Sequence, residues 1–546
     1  MLLIPWSIPF LLAFPSAINA RAIGADSPPL PSANTTSLVT SLPVNATLTL
    51  PDGECHDIRY CRTLEGLVLS CLVTILACVW FAVHRNIPAP RVHRPRHSNF
   101  FVRAGLFVWY KILDQRQAAI VFVVTLLAPE WVLAWALRQW LVAGELVGEL
   151  EEARAEANEE RKELVSEAVL AETEKEASDP SAPAVIDEAP AESSRHSAQS
   201  ERALIIAPQS RLPNRVASRR CTKRCEECDV HKSDYDQVAM AKRVAKANEA
   251  WEKIHAFFII MGGYQFYGED GPVRPVSPDE AVELVRRGHL VAPTSDELAN
   301  QSKGDALSKG VAILQTLWFV MQCIARRIEN LPLTNLEVMT LAYTVITVAM
   351  YIVWWEKPLN VSCAVRVPEE GVEDLEAASG YDSIWEQIIV YVIGVQDGYV
   401  DLRRCTRVPT FWAANRDSDG RDTVIADVIA LLVAMVFGAV HCIAWTYAFQ
   451  SHLEQQLWRA SAIAIIAVPA EALASLGIMA LSAIFIDLDG VVGTVVRFSL
   501  IGCNLVLASI YIAARIALIL ISFSSLRMLT PAAYKTVQWA TFVPHI

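Results

Sequence analysis

Hydrocarbon tolerates only segments that satisfy their own backbone hydrogen bonds, and a helix needs ~20 apolar residues to cross it. Seven runs in this sequence approach that length: 66–83, 118–137, 311–325, 336–355, 424–449, 462–486 and 498–523. The third is short, and Pro129 and Pro469 interrupt the second and sixth. The chain has 546 residues, 53% hydrophobic and 19% charged. That length would allow several soluble domains, but the apolar residues are gathered into runs rather than spread over amphipathic faces. The fold class expected is all-α: a polytopic transmembrane helical bundle of about seven spans with a long, acidic, partly disordered loop. The lipid bilayer is the first partner this implies.

Residues 1–20 read as a signal peptide, an apolar stretch followed by Ile18-Asn19-Ala20, although no Lys or Arg precedes it. Residues 21–63 form a luminal or extracellular segment with glycosylation sequons at Asn34 and Asn45. Cys55 and Cys61 are placed to close a small disulfide there. Residues 64–140 hold the first two spans around a basic loop. Within 84–117 stand Arg85, Arg91, Arg94, Arg96, Arg103, Lys111 and Arg116, against Asp114 alone. Such a loop belongs on the cytosolic side. The resulting expectation is a luminal N-terminus, a cytosolic C-terminus and entry through the secretory pathway. A re-entrant hairpin broken at Pro129 is the alternative, and it returns the following loop to the cytosol.

Net charge is −12, and the stretch 141–201 holds seventeen acidic and five basic residues, enough to account for all of it. The balance excludes a nucleic-acid partner. Residues 141–249 are an acidic insertion, helical at first and disordered by composition from 176 to 220. It offers a surface for protein partners. Cys221, Cys225, Cys228 and His231 form a weak candidate zinc site, since usual sites draw ligand pairs from separate turns. Residues 250–308 regain order. An aromatic stretch over 251–267 reads as interfacial, and Ser277-Pro278-Asp279-Glu280 and Thr294-Ser295-Asp296-Glu297 read as helix starts. Beyond lie spans three and four (309–356), a loop with a short amphipathic helix (357–423), spans five to seven (424–523) and a cytosolic tail (524–546). Cys363 and Cys405 are a candidate bridge in the loop.

Several motifs recur together: Cys61-Arg62-Thr63, His84-Arg85-Asn86-Ile87-Pro88, Ala128-Pro129-Glu130, and 302–310 (SKGDALSKG). To these are added Leu331-Pro332-Leu333-Thr334 before Glu337, Trp354-Trp355-Glu356-Lys357-Pro358-Leu359, Leu457-Trp458-Arg459 and a tail with Arg527, Pro531, Tyr534, Trp539 and Pro544-His545-Ile546. The combination resembles a group of uncharacterised fungal polytopic membrane proteins, outside roughly 143–245. The resemblance implies a membrane bundle and brings no activity. Physically, Trp354-Trp355 and Trp458 read as aromatic-belt anchors, Lys357 as a snorkelling cation, and Ser302 or Ser308 as a helix cap.

Charge within hydrocarbon is expensive, so Glu130, His441, Glu471 and Arg515 are the intramembrane polar candidates. Two of them follow a proline by one or two residues, where a broken helix frees carbonyls. No catalytic constellation or cofactor motif is present in the sequence, and no catalytic residue or cofactor is assigned. A structural or partner-binding scaffold is the leading reading. An ion or small-solute transporter using those four residues is the alternative, and a seven-span receptor-like sensor the third. Convergence of Glu130, Glu471 and Arg515 on one cavity would favour transport; separate tight contacts would favour a scaffold.

Overall fold

The computed structural model describes residues 61–89, 100–177, 250–268, 271–302, 306–368, 390, 396–414, 420–485 and 491–538. The signal peptide, both N-terminal sequons, Cys55, the cysteine–histidine cluster of 221–231 and residues 178–249 of the insertion lie outside these. The described residues are mostly helical. Helix α1 (Leu64–Leu76) runs into a π-helical turn, Ala77–Phe81. Then come α2 (Phe100–Leu127) and α3 (Pro129–Ala177). The short α4 (Lys253–Ile260), α5 (Pro278–Arg286) and α6 (Ser295–Gln301) follow. The long helices resume with α7 (Ala306–Ile328), α8 (Asn335–Val353), α9 (Arg421–His441), α10 (His452–Phe485) and α11 (Val491–Ser524).

Among the described residues, six helices are long and apolar enough to cross a membrane: Leu64–Phe81, Lys309–Ile328, Asn335–Val353, Arg421–Ala444, His452–Leu481 and Phe498–Met528. Helix α8 is the central rod, touching α1, α3, α7, α9 and α11. Nearly three-quarters of its most apolar window is buried, against less than two-fifths for the others. Its neighbours expose apolar side chains outward, as on α7, where Val311, Leu314, Leu317, Met321, Ile324 and Ile328 form one stripe. Close packing is visible where Gly438 of α9 meets α10: a Cβ there would lie 2.7 Å from Ile466 Cγ1 and 3.0 Å from the Ile465 carbonyl.

The expected second span is a hairpin. Helices α2 and α3 meet at Ala128 with a bend of 112°. Pro129 supplies no N–H to continue the ladder. Gln117 on the incoming limb donates to Thr410 Oγ1 (2.9 Å). On the outgoing limb, Trp135 and Gln139 donate to the Trp412 carbonyl (2.9 and 2.7 Å). Both limbs therefore leave the bundle at the same end, ten residues (~15 Å) either side of the bend. We call this the loop end.

The opposite, tail end gathers both termini of the described chain. The Arg62 N–H donates to the Tyr534 carbonyl (2.7 Å), and Cys61 bridges to Lys535. The sequence expectation put these termini on opposite faces of the bundle. Six through-going helices and a returning hairpin put them on one.

The fold is not purely helical. Strands β1 (Tyr264–Gly268), β2 (Gly271–Pro275) and β3 (Val365–Pro368) form a sheet in the order β2-β1-β3, with β1–β2 antiparallel and β1–β3 parallel. With α4 and α5 this sheet makes a cap on the outer part of α3. The aromatic 251–267 stretch therefore packs against protein: Phe257, Phe258 and Ile259 are buried beneath the cap. Gly263 is required there, because a Cβ would overlap Phe258. Both expected helix starts are capping boxes, Ser277 with Glu280 and Thr294 with Glu297. Helix α3 is also less solvated than its composition implied. Leu146, Leu150 and Ala153 are buried against the cap, Glu151 accepts from the Trp251 N–H, and Glu156 pairs with Arg286 (2.6 Å).

Candidate functional site

Three polar clusters are stacked along α8, one near its start, one at its middle and one just past its end. They pair motifs that are remote in sequence.

At the tail end, Glu337 closes a capping box with Thr334, accepting its N–H at 2.8 Å. The same carboxylate takes both guanidinium nitrogens of Arg62, with Nη2 to Oε2 at 3.1 Å. Arg62 Nε donates to the Ala533 carbonyl (2.8 Å). Arg326, only 2% exposed, donates to the carbonyls of Lys535 (2.7 Å), Pro332 (2.8 Å) and Ala533 (3.1 Å). Two arginines and one carboxylate thus pin the C-terminal tail to the start of α1 and the α7–α8 turn. Cys61 is disulfide-bonded, and its partner cysteine is outside the described residues.

The middle cluster lies at the hairpin bend. Tyr343 of α8 donates to the Leu126 carbonyl (2.5 Å). Arg515 of α11, fully buried, donates to the carbonyls of Leu126 (3.1 Å) and Leu127 (3.3 Å) and to Tyr343 Oη (2.7 Å). These are the carbonyls that the break at Pro129 removes from the helical ladder. The guanidinium also stacks on Phe437, 4.4 Å from the ring centroid. Tyr511 donates to Glu130 Oε2 (2.9 Å). His441 donates from Nδ1 to the Phe437 carbonyl (3.0 Å) and has its ring against Phe437 and Trp458.

Of the four intramembrane candidates, Glu130, Arg515 and His441 therefore meet around the bend, and Glu471 does not. It accepts from Ser475 (2.9 Å), which in turn accepts from Asn504 (3.3 Å), in a separate contact between α10 and α11. No group of three or more metal-ligating side chains occurs among the described residues.

The loop-end cluster centres on Lys357. Its Nζ donates to the carbonyl of His84 (2.5 Å), to Gln139 Oε1 (2.7 Å) and to Asn86 Oδ1 (3.4 Å). The ammonium position lies 4.6 and 4.8 Å from the ring centroids of Trp354 and Trp135. Trp354 Nε1 donates to Gln139 Oε1 (3.2 Å), and Gln139 Nε2 to Asn86 Oδ1 (3.1 Å). Burial pushes the Lys357 amine well below the usual lysine range. Burial, then the charges of Lys309 and Lys357, hold His84 well below the usual histidine range. A neutral His84 donates from Nδ1 to the Ala82 carbonyl (3.0 Å).

This corrects two sequence expectations. Lys357 does not snorkel and Trp354 is not a belt residue, because the hairpin's return limb covers both; each is 0% exposed, while the neighbouring Trp355 is 60% exposed. Trp458 is likewise buried, donating to the His441 carbonyl (3.1 Å). Ser302 ends α6 and exchanges hydrogen bonds with Leu359 (both 3.1 Å). A third correction concerns Cys363 and Cys405. Both thiols are free, and Cys405 Sγ instead faces the Asp401 carbonyl at 3.5 Å.

Sequence reasoning missed Gln139, Tyr343, Tyr511, Arg326 and Asn86 as members of these clusters. The signal available was polarity at positions that the helical period turns inward; pairing them required the fold. A small recess beside the loop-end cluster is lined by Trp131, Trp135, Arg138, Gln396 and Phe411. Arg138 there pairs with Asp427 of α9 (2.6 Å).

Comparison with known proteins gives a partial match to one family model and no activity. No curated protein and no solved structure matches the chain. The model of a family of unknown function (DUF8562) matches residues 214–409, a stretch that includes the cap, helices α7 and α8, and Lys357.

Proposed function

We propose that this is a six-span integral membrane protein acting as a scaffold, which presents its sheet-bearing cap and the long α3 helix to partner proteins at the loop end. The observation that carries the reading is how the buried charges are used. Arg515 satisfies carbonyls, Arg62 and Glu337 neutralise each other, and Glu471 stands apart in its own contact. Groups committed to fixed internal bonds hold helices together, whereas a translocation site must release its ligand.

Orientation follows from two independent features. A disulfide at Cys61 belongs in an oxidising compartment, which supports a luminal or exterior tail end. Asn86 and Gln117, near the two ends of the basic 84–117 stretch, bond to residues 409–412 at the loop end, which supports a cytosolic loop end. Tail-end arginines do not oppose this strongly, since Arg326 and Arg459 are bonded to backbone carbonyls. The cap and the acidic insertion then face the cytosol.

The test is glycosylation mapping in microsomes, with one acceptor sequon appended after Ile546 and another inserted at Gly398. Modification of the first and not of the second is expected. A C-terminal sequon left bare while Asn34 or Asn45 is modified would refute the shared location of the termini. For the scaffold reading, Glu471→Gln is expected to leave ion flux in reconstituted vesicles at the wild-type level, and a changed pH-dependent flux would favour transport instead.

A further inference from the structure

The ends of α1, α7 and α8 meet at the rim of the loop end, in a turn spanning Trp355 to Asn360. Two cations are pinned to that turn. Lys309 Nζ, at the start of α7, donates to the Trp355 carbonyl (3.1 Å), and Arg85 Nη2 donates to Asn360 Oδ1 (3.2 Å). Asn360 is held in the left-handed region (φ 54°), which turns its side chain toward Arg85. Arg85 also lies 5.1 Å over the ring of Trp80, the last turn of the first span. Trp80, Phe81 and Trp355 are 37%, 44% and 60% exposed, so three aromatic rings from the end of α1 and from this turn are open to the outer surface.

His84 lies beneath. It is fully buried, it feels the charge of Lys309, and its Nε2 has no hydrogen-bond partner. The one carboxylate in the turn is the exposed Glu356. The buried Lys357 fixes the turn from below, so the cations are held in place on a rigid base.

We propose that Arg85 and Lys309 form a binding site for the phosphate of an anionic phospholipid in the leaflet at the loop end, with Trp80, Phe81 and Trp355 against its glycerol and upper acyl chains. The chemistry is charge-assisted hydrogen bonding to a phosphate diester from a guanidinium and an ammonium. Exposed tryptophans mark the headgroup level where that phosphate sits. The site rests on the membrane reading above.

The experiment is competition between phosphatidylglycerol and phosphatidylcholine for the detergent-purified full-length protein, counted by native mass spectrometry. At about 1 kcal/mol per surface cation, two cations give the wild type a preference of about thirty-fold for the anionic lipid. Arg85→Gln with Lys309→Gln is expected to bring this close to unity, while Arg85→Lys with Lys309→Arg retains most of it. Equal binding of both lipids by the wild type overturns the proposal, and so does an unchanged preference in a neutralised variant that unfolds at the wild-type temperature. If the neutralised variant fails to fold, the wild-type ratio and the charge-retaining variant decide between the same two outcomes. Loss of preference in millimolar inorganic phosphate would make this a site for free phosphate, also against the proposal. Release of the protein from membranes by carbonate would instead sink the membrane reading, a result distinguishable from retention without lipid preference.

Discussion

Replacing Lys357 by Met keeps most of the side-chain volume and removes only the amine, so it isolates what Nζ contributes. Three acceptors lose a donor, but unequally. Gln139 Oε1 keeps Trp354 Nε1, and Asn86 Oδ1 keeps Gln139 Nε2. The His84 carbonyl is the acceptor left exposed to the penalty of an unmade buried bond, roughly 1–3 kcal/mol. Losing the ring contacts adds roughly 0.5–2 kcal/mol. Against this, the variant no longer buries an ionisable group, a relief that in other buried sites has offset such losses. The expected balance is a destabilisation of about 2 kcal/mol, read as a lower midpoint for unfolding in detergent.

A pH series gives the sign independently. The amine's folded pKa is depressed below its unfolded value, ~10.4, so the unfolded chain binds more protons between the two. Wild-type stability should therefore rise with pH as it approaches ~10.4, and Lys357→Met should lose that rise. A Met variant as stable as wild type, with an unchanged alkaline slope, would refute the account of the cluster as a clasp on the hairpin.

Other outcomes follow from the same geometry. Arg515→Met strands the carbonyl of Leu127, while that of Leu126 keeps Tyr343, and should cost about 2 kcal/mol in a denaturant titration, against less than ~1 kcal/mol for Glu471→Gln. Gly438→Ala places a methyl against the Ile465 backbone, which cannot give way as a side chain can, and should cost about 1–3 kcal/mol in thermal unfolding. Glu337→Gln removes the charge that holds Arg62; the tail after Ala533 should become cleavable by carboxypeptidase, and a tail that stays protected contradicts its clasp role. The unfolded chain protonates its His84 below ~6.5 while burial keeps the folded one neutral, so acidification through that value should lower stability, less so in His84→Gln.

The polarity of the loops and the lengths of the apolar runs could be read one residue at a time, because a bilayer selects on local composition. The helix starts at Ser277 and Thr294 were equally local, since a capping box closes within four residues. Pro129 announced a break but not its consequence. A kinked span and a hairpin share the same sequence, and only the bonds from Gln117, Trp135 and Gln139 to 410–412 distinguish them.

That one choice brought both ends of the described chain to the same end of the bundle. It also decided which polar residues were lipid-level anchors and which were core. Lys357, Trp354 and Trp458 carry the composition of interface residues, yet all three are buried, the first two bonded to Gln139 more than two hundred residues away. The sequence determines what can enter a membrane, since transfer free energy accumulates along contiguous residues. Which buried charges meet, and whether they clasp or conduct, depends on contacts across hundreds of residues that tertiary packing alone decides.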